Sequence, residues 1–188
     1  MNSISSHKSS NLSGNLIVPG DKSISHRSLI IGSLVNGRIE INNLLESEDV
    51  IATANALRIL GVQINKLNNK WEVFGSGIGN FYGSNYTLNM GNSGTGARLL
   101  MGLIAGSDIE ATFIGDESLS KRPMKKITSP LKKTGATIGN QTNNLPIKIK
   151  GNKIVLPIEF ETSVPSAQVK SSILLAGLSS LGKTTVIE

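Results

Sequence analysis

A chain of 188 residues with 38% hydrophobic and 4% aromatic residues has room for one domain or a little more, and must build its core from aliphatic side chains. The absence of cysteine excludes disulfides, thiolate metal sites and a cysteine nucleophile, and no apolar run approaches the roughly 20 residues that span a bilayer. The net charge of +6 is scattered apart from Lys121-Arg122 and Lys125-Lys126, which favours a small anionic ligand held by a few cations over a nucleic acid, whose binding asks for clustered basic residues and exposed aromatics.

Residues 1–13 read as a polar, Ser-rich tail without an apolar stretch of signal-peptide type, so a cytoplasmic location is the default expectation. Residues 14–188 then show a recurring order of elements. Alternating and helical periodicities predict a strand at 15–18, a helix at 23–35, a strand at 38–44, a helix at 48–60 and a hairpin at 62–66 and 70–74. The order returns with a strand at 86–90, a helix at 95–105, a strand at 109–114, a helix at 123–133 and short strands near 136–138 and 146–150. A third round starts with a strand at 153–158, a helix at 166–178 and a strand at 184–187. The expected fold class is therefore α/β, in β-α-β-α-β-β units covering about 14–75, 84–151 and 152–188, the third unit incomplete. Gly37, Gly106 and Gly182 punctuate the first helix of each unit, and Gly61 and Gly135 the second, as left-handed residues after helix ends do.

Three loop-to-helix junctions carry the candidate chemistry. A helix start exposes unpaired N–H groups and a partial positive charge, and so attracts phosphate and carboxylate. In the first junction Ser23 is a candidate N-cap, Arg27 lies one turn on along the same face, and Lys22 sits just outside, so the three can converge on one anion. His26 points away from that face and reads as a surface or packing residue. The second junction, Gly91-Asn92-Ser93-Gly94-Thr95-Gly96-Ala97-Arg98, lets backbone approach a ligand, with Asn92 adding a polar contact. In the third, Ser166 can cap the helix, Gln168 can donate an amide hydrogen bond, and Lys170 is a cation in a first turn that disfavours cations unless an anion neutralises it. Arg122 is a phosphate-binding candidate, because Lys121-Arg122 precedes a helix expected to open with Pro123 at its first position. The acids in Glu46-Ser47-Glu48-Asp49 read as dipole compensation. Gly177 to Thr184 matches the P-loop pattern, but a helix precedes it and a strand follows, which rejects nucleotide binding there.

The stretches PGDKSISHRS (19–28), GNSGTGARLLMGL (91–103), FIGDESLSKRPM (113–124) and PSAQVKSSILLAGL (165–178) resemble the EPSP synthase family, the 3-phosphoshikimate 1-carboxyvinyltransferases. The wording of the last two is similar to that of the family's bacterial glyphosate-tolerant class, which typically has alanine where this chain has Gly94; tolerance is therefore not implied. The resemblance implies an inverse-barrel enolpyruvyltransferase fold of two domains with a cleft between them, a complete chain about twice as long, and no metal or organic cofactor. It implies transfer of the enolpyruvyl group from phosphoenolpyruvate to the 5-hydroxyl of shikimate 3-phosphate. Lys22 would then contact both substrates. Ser23, Arg27, Ser166, Ala167 (through its backbone) and Gln168 would hold shikimate 3-phosphate, while Asn92, Gly94, Arg122 and Gln168 would serve phosphoenolpyruvate. The acid–base residues would belong to the missing half. Two alternatives stand beside this reading: a noncatalytic fragment that binds shikimate 3-phosphate, and the UDP-N-acetylglucosamine enolpyruvyltransferase, which usually uses a loop cysteine absent here.

Overall fold

The structure is a computed structural model and describes residues 3–68, 70–139 and 143–188. Helix α1 (Lys22–Ser33) leads into strand β1 (Asn36–Asn42), helix α2 (Glu48–Ile59) and the hairpin β2 (Gln63–Leu67) and β3 (Lys70–Ser76). Strand β4 (Tyr82–Asn89), helix α3 (Gly94–Ala105), strand β5 (Asp108–Ile114), the short helix α4 (Glu117–Ser120), helix α5 (Lys125–Lys133) and strands β6 (Thr137–Gly139) and β7 (Ile147–Lys150) follow. The chain closes with β8 (Glu159–Glu161), α6 (Ala167–Gly177) and β9 (Thr185–Ile187).

The sheets repeat one plan. In the second sheet the order is β4-β5-β7-β6, with β4 parallel to β5 and the remaining pairs antiparallel. The first sheet, β1-β3-β2, is the same antiparallel trio without a counterpart of β4. The third, β8 parallel to β9, is the counterpart of β4 and β5. Helix α3 lies at the centre, in contact with α1, α2, α5 and α6. Its Leu99, Leu100, Met101 and Ile104 are fully buried, and they share a continuous apolar core with Leu29, Leu57, Phe113 and Ile173. None of the helices among the described residues is long and apolar enough to cross a membrane.

Three expectations fail for identifiable reasons. Residues 15–18 form no strand: Leu16, Ile17 and Val18 are exposed, and a strand exists only with a paired edge and a covered face, neither of which they find. Residues 153–158 form none either. Asn152 Oδ1 accepts from the Ile154 N–H, Pro157 removes a ladder donor, and regular pairing begins only at Glu159. Pro123 does not open a helix; Lys121 caps the end of α4, Met124 is the N-cap of α5, and α4 itself was not legible in the periodicity. The glycine punctuation holds in part. Gly61 and Gly135 are left-handed at φ +93° and +98°, whereas Gly106 caps α3 at φ −88°, Gly37 lies inside β1, and Gly182 follows α6 only after Leu178 has capped it.

Candidate functional site

The three first helices begin in the same way. Asp21, Ser93 and Ser166 each cap a helix by accepting from the N–H three residues on, those of Ile24, Gly96 and Val169. Asp21, not Ser23, caps α1, which places Lys22 and Ser23 in its first turn. The cause lies at Gly20: a Cβ there would meet the Asn43 carbonyl oxygen at 2.0 Å, so the chain is pinned against the β1–α2 loop just before Asp21. Ser25 Oγ, accepting from the Leu45 N–H at 2.9 Å, fixes the same loop.

Side chains then tie these helix starts together. Arg27 donates to the Ser23 carbonyl at 3.2 Å and to Ser171 Oγ on α6 at 2.8 Å. Gln168, in the first turn of α6, accepts from Arg98 through Oε1 and donates to Thr95 Oγ1 through Nε2, both at 2.9 Å. Asn92 accepts from Arg122 and donates to Asp116 Oδ2 at 2.8 Å. Gly94 lies between two guanidinium groups, since a Cβ there would stand 3.1 Å from Arg122 Nη1 and 3.2 Å from Arg98 Nη1. The structure thus gathers Gln168, Gly94, Asn92 and Arg122 with Thr95 and Arg98 in one run of contacts, and Arg27 reaches the same helix α6 separately, through Ser171. Ala167 and Ser166 form the start of α6. An open cavity of about 700 Å³ lined by Asp116, Ser118, Lys121 and Arg122 adjoins the Arg122 end.

The electrostatics favour an anion. Among the described residues, Arg27, Arg98 and Arg122 have no carboxylate within ion-pair distance; neutral oxygens hold them. Burial, and then the nearby Arg122 charge, lower the Arg98 pKa. Two cations kept close without a neutralising acid are stabilised when an anion arrives. Lys22 differs, because it pairs with Asp49 in the first turn of α2. Asp49 therefore does more than compensate a dipole: it orients the Lys22 ammonium, a role invisible in the sequence because the rest of α1 and strand β1 lie between the two residues. Lys170 is also neutralised, by Glu188, whose other oxygen accepts from the Ser166 N–H at 3.1 Å; the first-turn cation is thus explained by an acid within the chain.

His26 is fully buried beneath this site, with Nδ1 2.9 Å from Thr53 Oγ1. Burial, reinforced by Lys22 and Arg27 against the opposing pull of Asp49, lowers its pKa from 6.5 to about 4. Because the folded value is the depressed one, this contribution to stability is complete above the unfolded pKa and is lost as pH falls towards the folded pKa. Between pH 7.5 and 5 the loss should be about 2 kcal/mol. Urea unfolding at the two pH values measures it, and His26→Asn should remove most of the difference. An unchanged difference in that variant would assign it to other groups.

Residues 6–188 match the profile of the family described as EPSP synthase (3-phosphoshikimate 1-carboxyvinyltransferase). The chain is 50% identical over 188 residues to a 3-phosphoshikimate 1-carboxyvinyltransferase of Rhodospirillum rubrum, covering 97% of this chain and 42% of that protein. It is likewise 50% identical over 186 residues to one of Bartonella quintana, covering 98% of this chain and 42% of that protein. The solved EPSP synthase of Acinetobacter baumannii superposes with a TM-score of 0.86 at 41% identity, over 92% of this chain and 40% of that one. The chain therefore spans about two fifths of the length of the curated relatives it matches.

Proposed function

Since the chain belongs to the EPSP synthase family, we propose that it supplies one side of a site that transfers the enolpyruvyl group of phosphoenolpyruvate to the 5-hydroxyl of shikimate 3-phosphate, releasing phosphate. The observation that carries this reading is the junction of three helix starts through guanidinium groups without acid partners. Both substrates are phosphorylated anions, and such a face offers each of them N–H donors and bidentate guanidinium contacts.

In this reading Lys22, Ser23, Arg27, Ser166, Ala167 and Gln168 hold shikimate 3-phosphate. Lys22, Asn92, Gly94, Arg122 and Gln168 hold phosphoenolpyruvate. The reaction protonates the methylene carbon of phosphoenolpyruvate while the 5-hydroxyl oxygen gives up its proton and bonds to the central carbon; the adduct then loses phosphate, and the methyl carbon just formed gives up a proton to restore the double bond. The cations on this chain offset the mutual repulsion of the two substrates and hold the reacting atoms together. The proton donor and acceptor belong to the polypeptide that completes the cleft, which is the chain's proposed partner in a cytoplasmic enzyme. Nucleic acid and membrane play no part.

Isothermal titration with shikimate 3-phosphate tests this directly. Lys22→Ala removes a cation and leaves the Asp49 carboxylate facing the ligand, so binding should weaken about tenfold or more. Asp49→Asn in that background should recover part of the loss. Equal affinity in wild type and Lys22→Ala would remove Lys22 from the site. Phosphate release from the substrate pair separates enzyme from binder: this chain alone should release none.

A further inference from the structure

Between α5 and the segment that runs from β8 into α6 lies a cavity of about 430 Å³, within the roughly 300–1,000 Å³ usual for small-molecule sites. Pro123, Pro130, Phe160, Val164 and Val169 form its walls, and Lys125 and Lys126 stand on its α5 side. None of the residues proposed for the two substrates lines it.

The internal repeat explains why the space is open. In the second unit Leu88 of β4 pairs with Phe113 of β5, and in the third Phe160 of β8 pairs with Val186 of β9. Val186 follows the Ser166 cap by as many residues as Phe113 follows the Ser93 cap, so Phe160 is the counterpart of Leu88. Leu88 is fully buried, and so is Met90 two residues on, whose Cε reaches the start of α3 at Gly96. Two residues past Phe160 stands Thr162, whose hydroxyl donates to the Ile187 carbonyl at 3.3 Å, and the stretch from there to the cap is one residue longer. The third unit therefore lacks the long side chain that plugs this corner in the second, and Phe160 is only partly buried.

The charges select the occupant. Lys125 and Lys126 have no carboxylate within ion-pair distance among the described residues, and Lys133 Nζ stands 5.6 Å from the centroid of the Phe160 ring. Glu159 and Glu161 flank Phe160 on β8, but side chains alternate along a strand, so both point to its other face and neither lines the cavity. Apolar walls with cations on one side suit a ligand with a flat apolar body and one negative end. A polyhydroxylated phosphate ester does not fit, because its hydroxyls would lose water against proline and valine without gaining partners. The phenylalanine ring and the two prolines offer flat faces to a rigid ring, which loses little conformational freedom on binding.

We propose that this cavity binds a small aromatic carboxylate, its ring held among Phe160, Pro123 and Pro130 and its carboxylate at Lys125 and Lys126. The site is independent of which substrates bind at the helix starts.

The probe is 2-naphthoate, titrated into this chain and followed by its own fluorescence, with excitation beyond the absorption of the chain's one tryptophan. The expected result is saturable binding of one molecule with a Kd of about 1 mM or tighter, as a ligand of that size allows. Ser129→Phe places a ring in the cavity from an exposed position on α5 and should weaken binding at least about tenfold. Lys125→Gln combined with Lys126→Gln should weaken it about fivefold, and the neutral 2-naphthamide should bind wild type about fivefold less tightly than the carboxylate does. Both variants alter exposed side chains, so their urea midpoints should match that of wild type. No saturable binding up to about 10 mM, tenfold beyond the expected Kd, would overturn the proposal. So would affinity unchanged by Ser129→Phe, or equal affinity for the carboxylate and the amide.

Discussion

Gly102→Ala should lower stability by about 3 kcal/mol, although alanine normally strengthens a helix by roughly 0.5–1 kcal/mol over glycine. The reversal has a geometric cause. A Cβ at Gly102 would lie 2.2 Å from the Ser172 carbonyl oxygen and 2.8 Å from Ser172 Cα, so it meets backbone and has nothing flexible to displace. Gly106, one turn on, faces the Ala176 backbone in the same manner, with 2.8 Å from a built Cβ to the carbonyl oxygen. Helices α3 and α6 therefore touch backbone to backbone, and this contact sets where Gln168 meets Thr95 and Arg98. Separating the helices to admit a methyl group loosens the core and the site together. Gly32→Ala is the internal control: it is also a buried helical glycine, but its nearest neighbour is the Val73 side chain at 3.5 Å, an ordinary contact. Urea midpoints of the two variants should move in opposite directions. Equal stabilisation in both would show that α3 and α6 are not packed as described.

Gly94→Ala should do the opposite, leaving the fold intact and damaging the site. The added methyl group would meet Arg122 Nη1 at 3.1 Å, Arg98 Nη1 at 3.2 Å and Leu119 Cδ1 at 3.5 Å, all at the far ends of side chains that can give way by a few tenths of an ångström. The backbone at this first residue of α3 is helical and accepts alanine, so the unfolding midpoint should hold or rise slightly. Arg122, however, would be pushed off the position from which, in the proposed site, it meets phosphoenolpyruvate, and small displacements of such groups cost heavily in affinity and rate. Affinity for phosphoenolpyruvate, measured in the presence of shikimate 3-phosphate, should fall about tenfold or more, while affinity for shikimate 3-phosphate alone should be nearly unaffected. An equal loss for both ligands would mean that Gly94 supports the whole site and does not belong to one half of it.

These two glycines also show what the sequence could and could not disclose. Helix starts were legible because capping chemistry is local: Ser166 caps α6 as expected from its own type and its neighbours. The choice of Asp21 over Ser23 was not local, because it depends on Gly20 lying against Asn43 across the fold. Gly94 was legible as a place of close approach, but the two guanidinium groups beside it come from one turn along α3 and from beyond β5. Asp49 was legible only as an acid compensating a helix dipole, and Ser171 escaped notice altogether. They matter through Lys22 and Arg27 on another helix, which nothing in their own segments marks. The failed strand at 15–18 has the same origin, since an apolar tetrapeptide becomes a strand only beside an available edge. The named roles of Ala167 and Gln168 came from family likeness, whereas the hydrogen bonds of Gln168 came from the structure.

Amide NMR of this chain, titrated with shikimate 3-phosphate, tests the central claim that the helix starts form one anion-binding face. The predicted result is a dispersed spectrum in which shifts concentrate at residues 22–27 and 166–171, the two segments joined by Arg27 and Ser171. They should vanish together in Arg27→Ala. Shifts confined to one of the two segments, or unchanged by that substitution, would contradict the claim, as would a saturating response centred elsewhere on the chain.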